Sequence, residues 1–206
     1  MRGLVPEARL PVTLRLALPD WLVTLLAQPP PALASAEARM DFVLALARRN
    51  VASGTGGPFA AAVFERSSGR LVAAAVNLVV AGRCSPAHAE IVALALAQQA
   101  AGTHDLGAPG LPAMALAAST EPCAMCLGAI PWSGVRSLLC GARGADAEAI
   151  GFDEGDKPAD WPARLAARGI TVHRDIRRDA AAAILRDYAA AGGPVYNPRR
   201  GAVGNR

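Results

Sequence analysis

The sequence predicts an α/β layered domain, and three observations carry that expectation. Apolar spacing switches repeatedly between the helical period and short runs of strand length, so strands alternate with helices from Glu37 onward. Hydrophobic residues make up 52% of the chain against 18% charged, which excludes a disordered chain. Aromatics reach only 4%, so the core must be built mainly from Ala, Val and Leu. With 206 residues and the run Pro29-Pro30-Pro31, the organisation expected is an N-terminal extension over residues 1–33 and one domain over 34–206.

Each element follows from local signals. The extension carries a Leu-rich stretch, residues 16–27, which Pro19 and Asp20 interrupt. It is too short and too polar to span a bilayer and is expected to pack on the body. Residues 1–11 lack a signal-peptide pattern, which points to a cytoplasmic protein with no membrane association. A helix is predicted over residues 37–49, where Ser35 can cap and Met40, Val43, Leu44 and Ala47 recur at helical spacing. Residues 59–65 and 71–77 read as strands, joined into an antiparallel hairpin by Ser67-Ser68-Gly69-Arg70. After a loop over 80–85, Ser85 as cap and Pro86 at the first helical position start a second helix with His88 and Glu90 in its first turn. Residues 113–118 form a short apolar strand, Pro122 opens a third helix carrying Cys123 and Cys126, and 135–141 is a buried strand. An acidic loop over 144–160, a short helix over 161–168, a strand over 170–173 and a final helix over 179–190 complete the pattern.

The formal charge of +4 permits nucleic acid as a partner without requiring it. Lys157 is the only lysine, and the arginines scatter over helical faces or gather in the tail at Arg199, Arg200 and Arg206. That distribution reads as solvated surface before it reads as a phosphate stripe. Four cysteines are too few for a disulfide scaffold of this length, so the Cys-x-x-Cys pair suggests metal or redox chemistry.

His88-Ala89-Glu90 and Pro122-Cys123-Ala124-Met125-Cys126 together fit a zinc-deaminase signature, in which one His and two Cys hold the metal and the Glu stays unligated. Cys123 and Cys126 share one helical face, and a helix N-terminus favours both as thiolates. Two thiolates with one imidazole favour zinc and leave a fourth tetrahedral position for water. Glu90 is then placed to move protons as a general base and acid. The alternatives are a redox dithiol and a structural site closed by Cys84 or Cys140, in which Glu90 would have no purpose.

With Gly57-Pro58-Phe59-Ala60, Asn77, Glu121, residues 127–130 and Trp132, these motifs resemble the cytidine and deoxycytidylate deaminase-like superfamily, and within it the bacterial guanine deaminase branch. The resemblance covers about residues 36–196. It implies a three-layer α/β/α fold around a central mixed sheet, Zn2+ as cofactor, and a homodimer in which exchange of C-terminal segments is left open. Gly151-Phe152-Asp153-Glu154-Gly155 and Trp132 separate this branch from tRNA adenosine deaminases, and the branch implies a second catalytic acid at Glu154, where many relatives carry Asp. The expected partner is a small purine base or related amino-heterocycle; nucleic acid is disfavoured.

Chemistry supports the second acid, because deamination at C2 of guanine must protonate both N3 and a poor leaving group. Glu154 could equally be one solvated carboxylate among Asp146, Glu148, Asp153 and Asp156. Asn77 has a carboxamide that can donate to and accept from one purine edge, or it can bond its own backbone in a turn. Trp132 is expected to stack on the base, Phe59 to form pocket wall or hairpin core, and Ala89 to lie among the substrate-binding positions. Gly54, Gly56 and Gly57 are expected to let backbone approach the base. Tyr196 is a further candidate for a pocket, its own or a partner's. Rival functions are deamination of a tRNA adenosine or of another 2-amino heterocycle such as an aminotriazine or pterin, and a non-catalytic zinc-stabilised binding module.

Overall fold

Strands of Ala, Val and Leu, too small to fill space alone, are covered by helices on both sides. The structure is a computed structural model that describes residues 11–197. β1 (Ala60–Glu65) and β2 (Leu71–Val76) form the expected antiparallel hairpin, and β3 (Met114–Thr120) pairs antiparallel to β1. β4 (Ser137–Ala142) and β5 (Thr171–His173) then add in parallel, giving a mixed sheet of order β2-β1-β3-β4-β5. Every residue of β3 and β4 is buried, as expected of strands covered on both faces.

In the extension, α1 (Asp20–Leu26) docks through fully buried Leu22, and its neighbour Trp21 receives the Arg49 guanidinium 4.8 Å above its ring. α2 (Ala36–Ala52) starts where expected, with the Ser35 hydroxyl accepting from the Ala38 amide at 3.0 Å. A four-residue helix, α3 (Val79–Gly82), occupies the start of the segment expected to be loop. It is followed by a turn in which Ala87 N–H donates to Cys84 at 3.0 Å. That turn takes up Ser85 and Pro86, so α4 (Ala89–Ala101) begins three residues after Pro86, with His88 as N-cap and not in the first turn. α5 (Ala124–Ser133) likewise begins just after its expected opener, with Cys123 as N-cap. It stops at Gly134, where φ is +82°, and a Cβ there would collide with Asp105 and Leu106. α6 (Gly144–Glu148) occupies the first part of the acidic loop, and α7 (Trp161–Ala167) and α8 (Arg178–Ala190) fall as predicted. α4 and α5 pack together on one face of the sheet, α2 and α8 on the other.

The pairing register decides where the loops converge. Ala60 opposes Val76, Ala61 opposes Ala118, and Thr120 lies beside Ala142. The start of β1 and the ends of β2, β3 and β4 therefore meet at one edge, where Phe59, Asn77, Glu121 and Gly144 emerge side by side. Carboxyl ends of parallel strands are where sheets of this kind place ligands. Among the described residues, no helix is long and apolar enough to cross a membrane.

Candidate active site

At that edge a pocket is lined by Phe59, Asn77, His88, Glu90, Cys123, Phe152, Glu154 and Tyr196, together with residues 118–121. His88 and Cys123 are both N-cap residues whose side chains make no capping hydrogen bond. They turn to each other: His88 Nδ1 lies 3.5 Å from Cys123 Sγ and 3.6 Å from Cys126 Sγ. The edge of a zinc tetrahedron built on a sulfur and a nitrogen is about 3.5 Å, so the three donors already stand at ligand spacing. Cys84 and Cys140 are not part of this cluster, which among the described residues is the one group of His, Cys and acids that could hold a metal ion. The structural-site alternative therefore finds no fourth cysteine. A hydrogen bond from Cys126, and then His88, pulls the Cys123 thiol down to about 4, while donating that bond raises Cys126. These contacts favour the thiolate form at Cys123, the form that binds metal.

Glu90 follows His88 by two residues, in the first turn of α4, and is almost fully buried. Burial first, and then the Cys123 charge, raise its pKa, the direction a proton-shuttling carboxyl needs. Glu154 is the second carboxyl. It is not a solvated loop acid: its side chain is 7% exposed. Burial lifts its pKa to about 7 against the opposing pull of Lys157. Its backbone carbonyl accepts from Ala124 N–H at 2.8 Å, which ties the loop after α6 to the first turn of α5.

The remaining candidates divide. Asn77 lines the pocket and also forms the turn, since its Oδ1 accepts from Val79 N–H at 3.2 Å. Phe59 is pocket wall and ring partner together, meeting Phe152 edge-on at 4.9 Å between centroids. Ala89 is fully buried at the start of α4, between two lining residues. Trp132 corrects the expectation of stacking: it is 84% exposed on α5, beside Ile91, Leu94 and Ala129, and does not line this pocket. It lies six residues beyond Cys126 on the same helix, with its side chain turned to solvent. The glycine expectation is corrected too. A Cβ on Gly56 would strike the Asn77 carbonyl and one on Gly57 the Tyr196 phenol, so these glycines admit protein neighbours and not the base.

Tyr196 reaches the pocket of its own chain. Its ring packs edge-on against Phe152 at 5.1 Å, and its buried hydroxyl has no hydrogen-bond partner among the described residues. Asn197 holds the segment down, accepting from Asp153 N–H at 2.9 Å and donating to the Gly151 carbonyl at 2.7 Å. Sequence reasoning overlooked Lys157, whose Nζ lies 3.3 Å from Glu154 Oε2, and Asn50, whose amide donates to the carbonyls of Gly57 and Asn77 at 2.9 and 3.3 Å. For Lys157 the available signal was its being the sole lysine; Asn50, polar at the end of a helix, gave none.

Residues 34–142 match the family described as the cytidine and deoxycytidylate deaminase zinc-binding region. The guanine deaminase of Bacillus subtilis is 37% identical over 121 residues, which are 56% of this chain and 73% of that protein. The structure of NE0047 in complex with 2,6-diaminopurine is similar at 59% identity and a TM-score of 0.85, over 90% of this chain and 97% of the other. A guanine deaminase from Nitrosomonas europaea is 57% identical, with a TM-score of 0.84, over 89% of this chain and all of that one.

Proposed function

Because the chain belongs to the cytidine and deoxycytidylate deaminase zinc-binding family, we propose that it is a zinc-dependent aminohydrolase converting guanine and water to xanthine and ammonia. The observation that carries the substrate is Glu154, a second buried carboxyl sharing one pocket with Glu90 and the metal donors. A pyrimidine or adenine deamination needs one proton shuttle; loss of an amine from C2, beside N3, gives two carboxyls distinct duties.

In this reading His88, Cys123 and Cys126 hold the zinc. Bound zinc supplies a Lewis acid that makes water nucleophilic at neutral pH. Glu90 takes the proton from the attacking water and passes it to N3. Glu154 holds the 2-amino group and carries the remaining proton of the added hydroxyl to it, so that the C2–N bond breaks with ammonia as the leaving group and the hydroxyl becomes the xanthine carbonyl. Phe59 and Phe152, packed edge-on against each other, form one apolar wall for the purine, and the Asn77 carboxamide, its Oδ1 shared with the turn, reads one purine edge. The Tyr196 hydroxyl, with no hydrogen-bond partner among the described residues, is left for a polar atom of the substrate.

The chain acts as a cytoplasmic homodimer in this reading. What supports it is the exposed Trp132 beside Ile91, Leu94, Ala95 and Ala129 of α4 and α5, and four cysteines that form no disulfide. Ammonia release from guanine, guanosine, adenine, cytosine, cytidine and aminotriazines tests the substrate. Turnover confined to guanine is expected; activity on adenine or a pyrimidine, with none on guanine, overturns the proposal.

A further inference from the structure

Lys157 does not sit where solvated cations sit. Its side chain is 13% exposed, and its Nζ donates to the Pro122 carbonyl at 3.1 Å and to Glu154 Oε2 at 3.3 Å. The Trp161 ring lies 5.9 Å beyond. Gly144 leaves the space for it, since a Cβ there would come within 2.8 Å of Nζ. A buried ion pair of this kind is a weak source of net stability, because desolvation of both charges offsets their attraction. Its two anchor points are more informative. Pro122 is the residue before Cys123, and Glu154 is the carboxyl across the pocket, so one ammonium spans the metal-donor end of α5 and the second acid.

We propose that Lys157 is a positioning residue of the reaction, fixing the Glu154 carboxylate relative to the start of α5; the inference rests on the guanine deaminase reading given above. Among the described residues, the loop that carries Glu154 is held to α5 by one backbone bond, Ala124 N–H to the Glu154 carbonyl, which fixes the main chain but makes no contact with the carboxylate and leaves its side-chain torsions unset. Lys157 removes that freedom by engaging Oε2 on the side of Gly144. A misplacement of a reacting group by about 1 Å can cost on the order of 10²-fold in rate, which sets the scale of the effect.

The test is a double-substitution cycle on the zinc-loaded, full-length protein, read as kcat and KM for guanine together with zinc content and thermal midpoint. Lys157→Met should keep zinc, leave KM within about threefold, and lower kcat by about tenfold to a hundredfold. Added to Glu154→Gln, it should change kcat by less than about twofold, since the carboxylate it positions is gone. Lys157→Leu, which likewise lacks a donor, gives the same cycle should the methionine variant not fold. Losses that multiply, or a kcat for Lys157→Met within about threefold of wild type while Glu154→Gln is impaired, overturn this inference alone. A Glu154→Gln enzyme as fast as wild type overturns the reading of the site and this inference with it.

Discussion

Glu90 and Glu154 are both buried carboxyls, yet their substitutions should separate. Glu90→Gln preserves shape and zinc but cannot shuttle protons, and a loss of about 10² to 10⁴ in kcat is expected. Steady-state xanthine formation with zinc measured in parallel checks it; a rate within about threefold of wild type would rule out the role. Glu154→Gln should lower kcat more than it raises KM, because the carboxylate acts more strongly as the amine departs than on the bound base. Exposed Glu148→Gln, on α6, is the control and should change neither. Glu154 also has a pH signature. A carboxyl whose native pKa is raised favours folding while protonated, so its contribution is complete below its unfolded value of 4.5 and is lost as pH rises through about 7. In metal-free protein, the stability of wild type minus that of Glu154→Gln should fall across this window by up to about 3 kcal/mol, as urea denaturation would show. A difference that rose or stayed flat would mean that burial does not disfavour the ionised form.

The helices show how much of the site was legible and where legibility stopped. Ser35 and the spacing of Met40, Val43 and Leu44 announced α2, because a cap and an apolar stripe are both local features. Ser35→Ala should cost about 1 kcal/mol in denaturant melts. His88, Glu90, Cys123 and Cys126 were legible for a similar reason: their short spacings can be read without knowing the fold. The starts of α4 and α5 were displaced because Ser85-Pro86 and Pro122 look like ideal openers, whereas the structure gives the N-cap positions to metal donors. Lys157, Asn50 and the outward face of Trp132 were not legible, since each depends on contacts or exposure that only tertiary packing sets. Asn50 links elements far apart in sequence. Trp21 Nε1 donates to Thr55 Oγ1 at 3.1 Å, Thr55 donates to Asn50 Oδ1 at 2.7 Å, and Asn50 holds the carbonyls of Gly57 and Asn77. The extension thus buttresses the loop behind the pocket. Asn50→Ala would leave two carbonyls without their donor and should destabilise by about 2 kcal/mol or more while raising KM for guanine. Unchanged melting would show that the chain of bonds carries no energy.

Across the whole molecule, the sheet separates two helical layers, and α2 on one of them begins differently from α4 and α5 on the other. Behind it, α2 is closed by the Ser35 hydroxyl, a cap supplied by the chain itself. In front, α4 and α5 begin at His88 and Cys123, whose carbonyls accept the first helical bonds from Val92 and Leu127, but whose side chains cap nothing. Those side chains stand in the cluster that could hold a metal, so in the proposed reading a bound zinc would also hold both helix starts in place. Fraying should therefore be one-sided. When zinc is removed by a chelator, amide hydrogen exchange in the first turns of α4 and α5 should accelerate by about fivefold or more, the equivalent of losing a cap, while the first turn of α2 keeps its rate. Metal supply then becomes a local thermostat for one face of the protein, and a starved cell would hold a molecule whose back layer is native and whose front layer breathes.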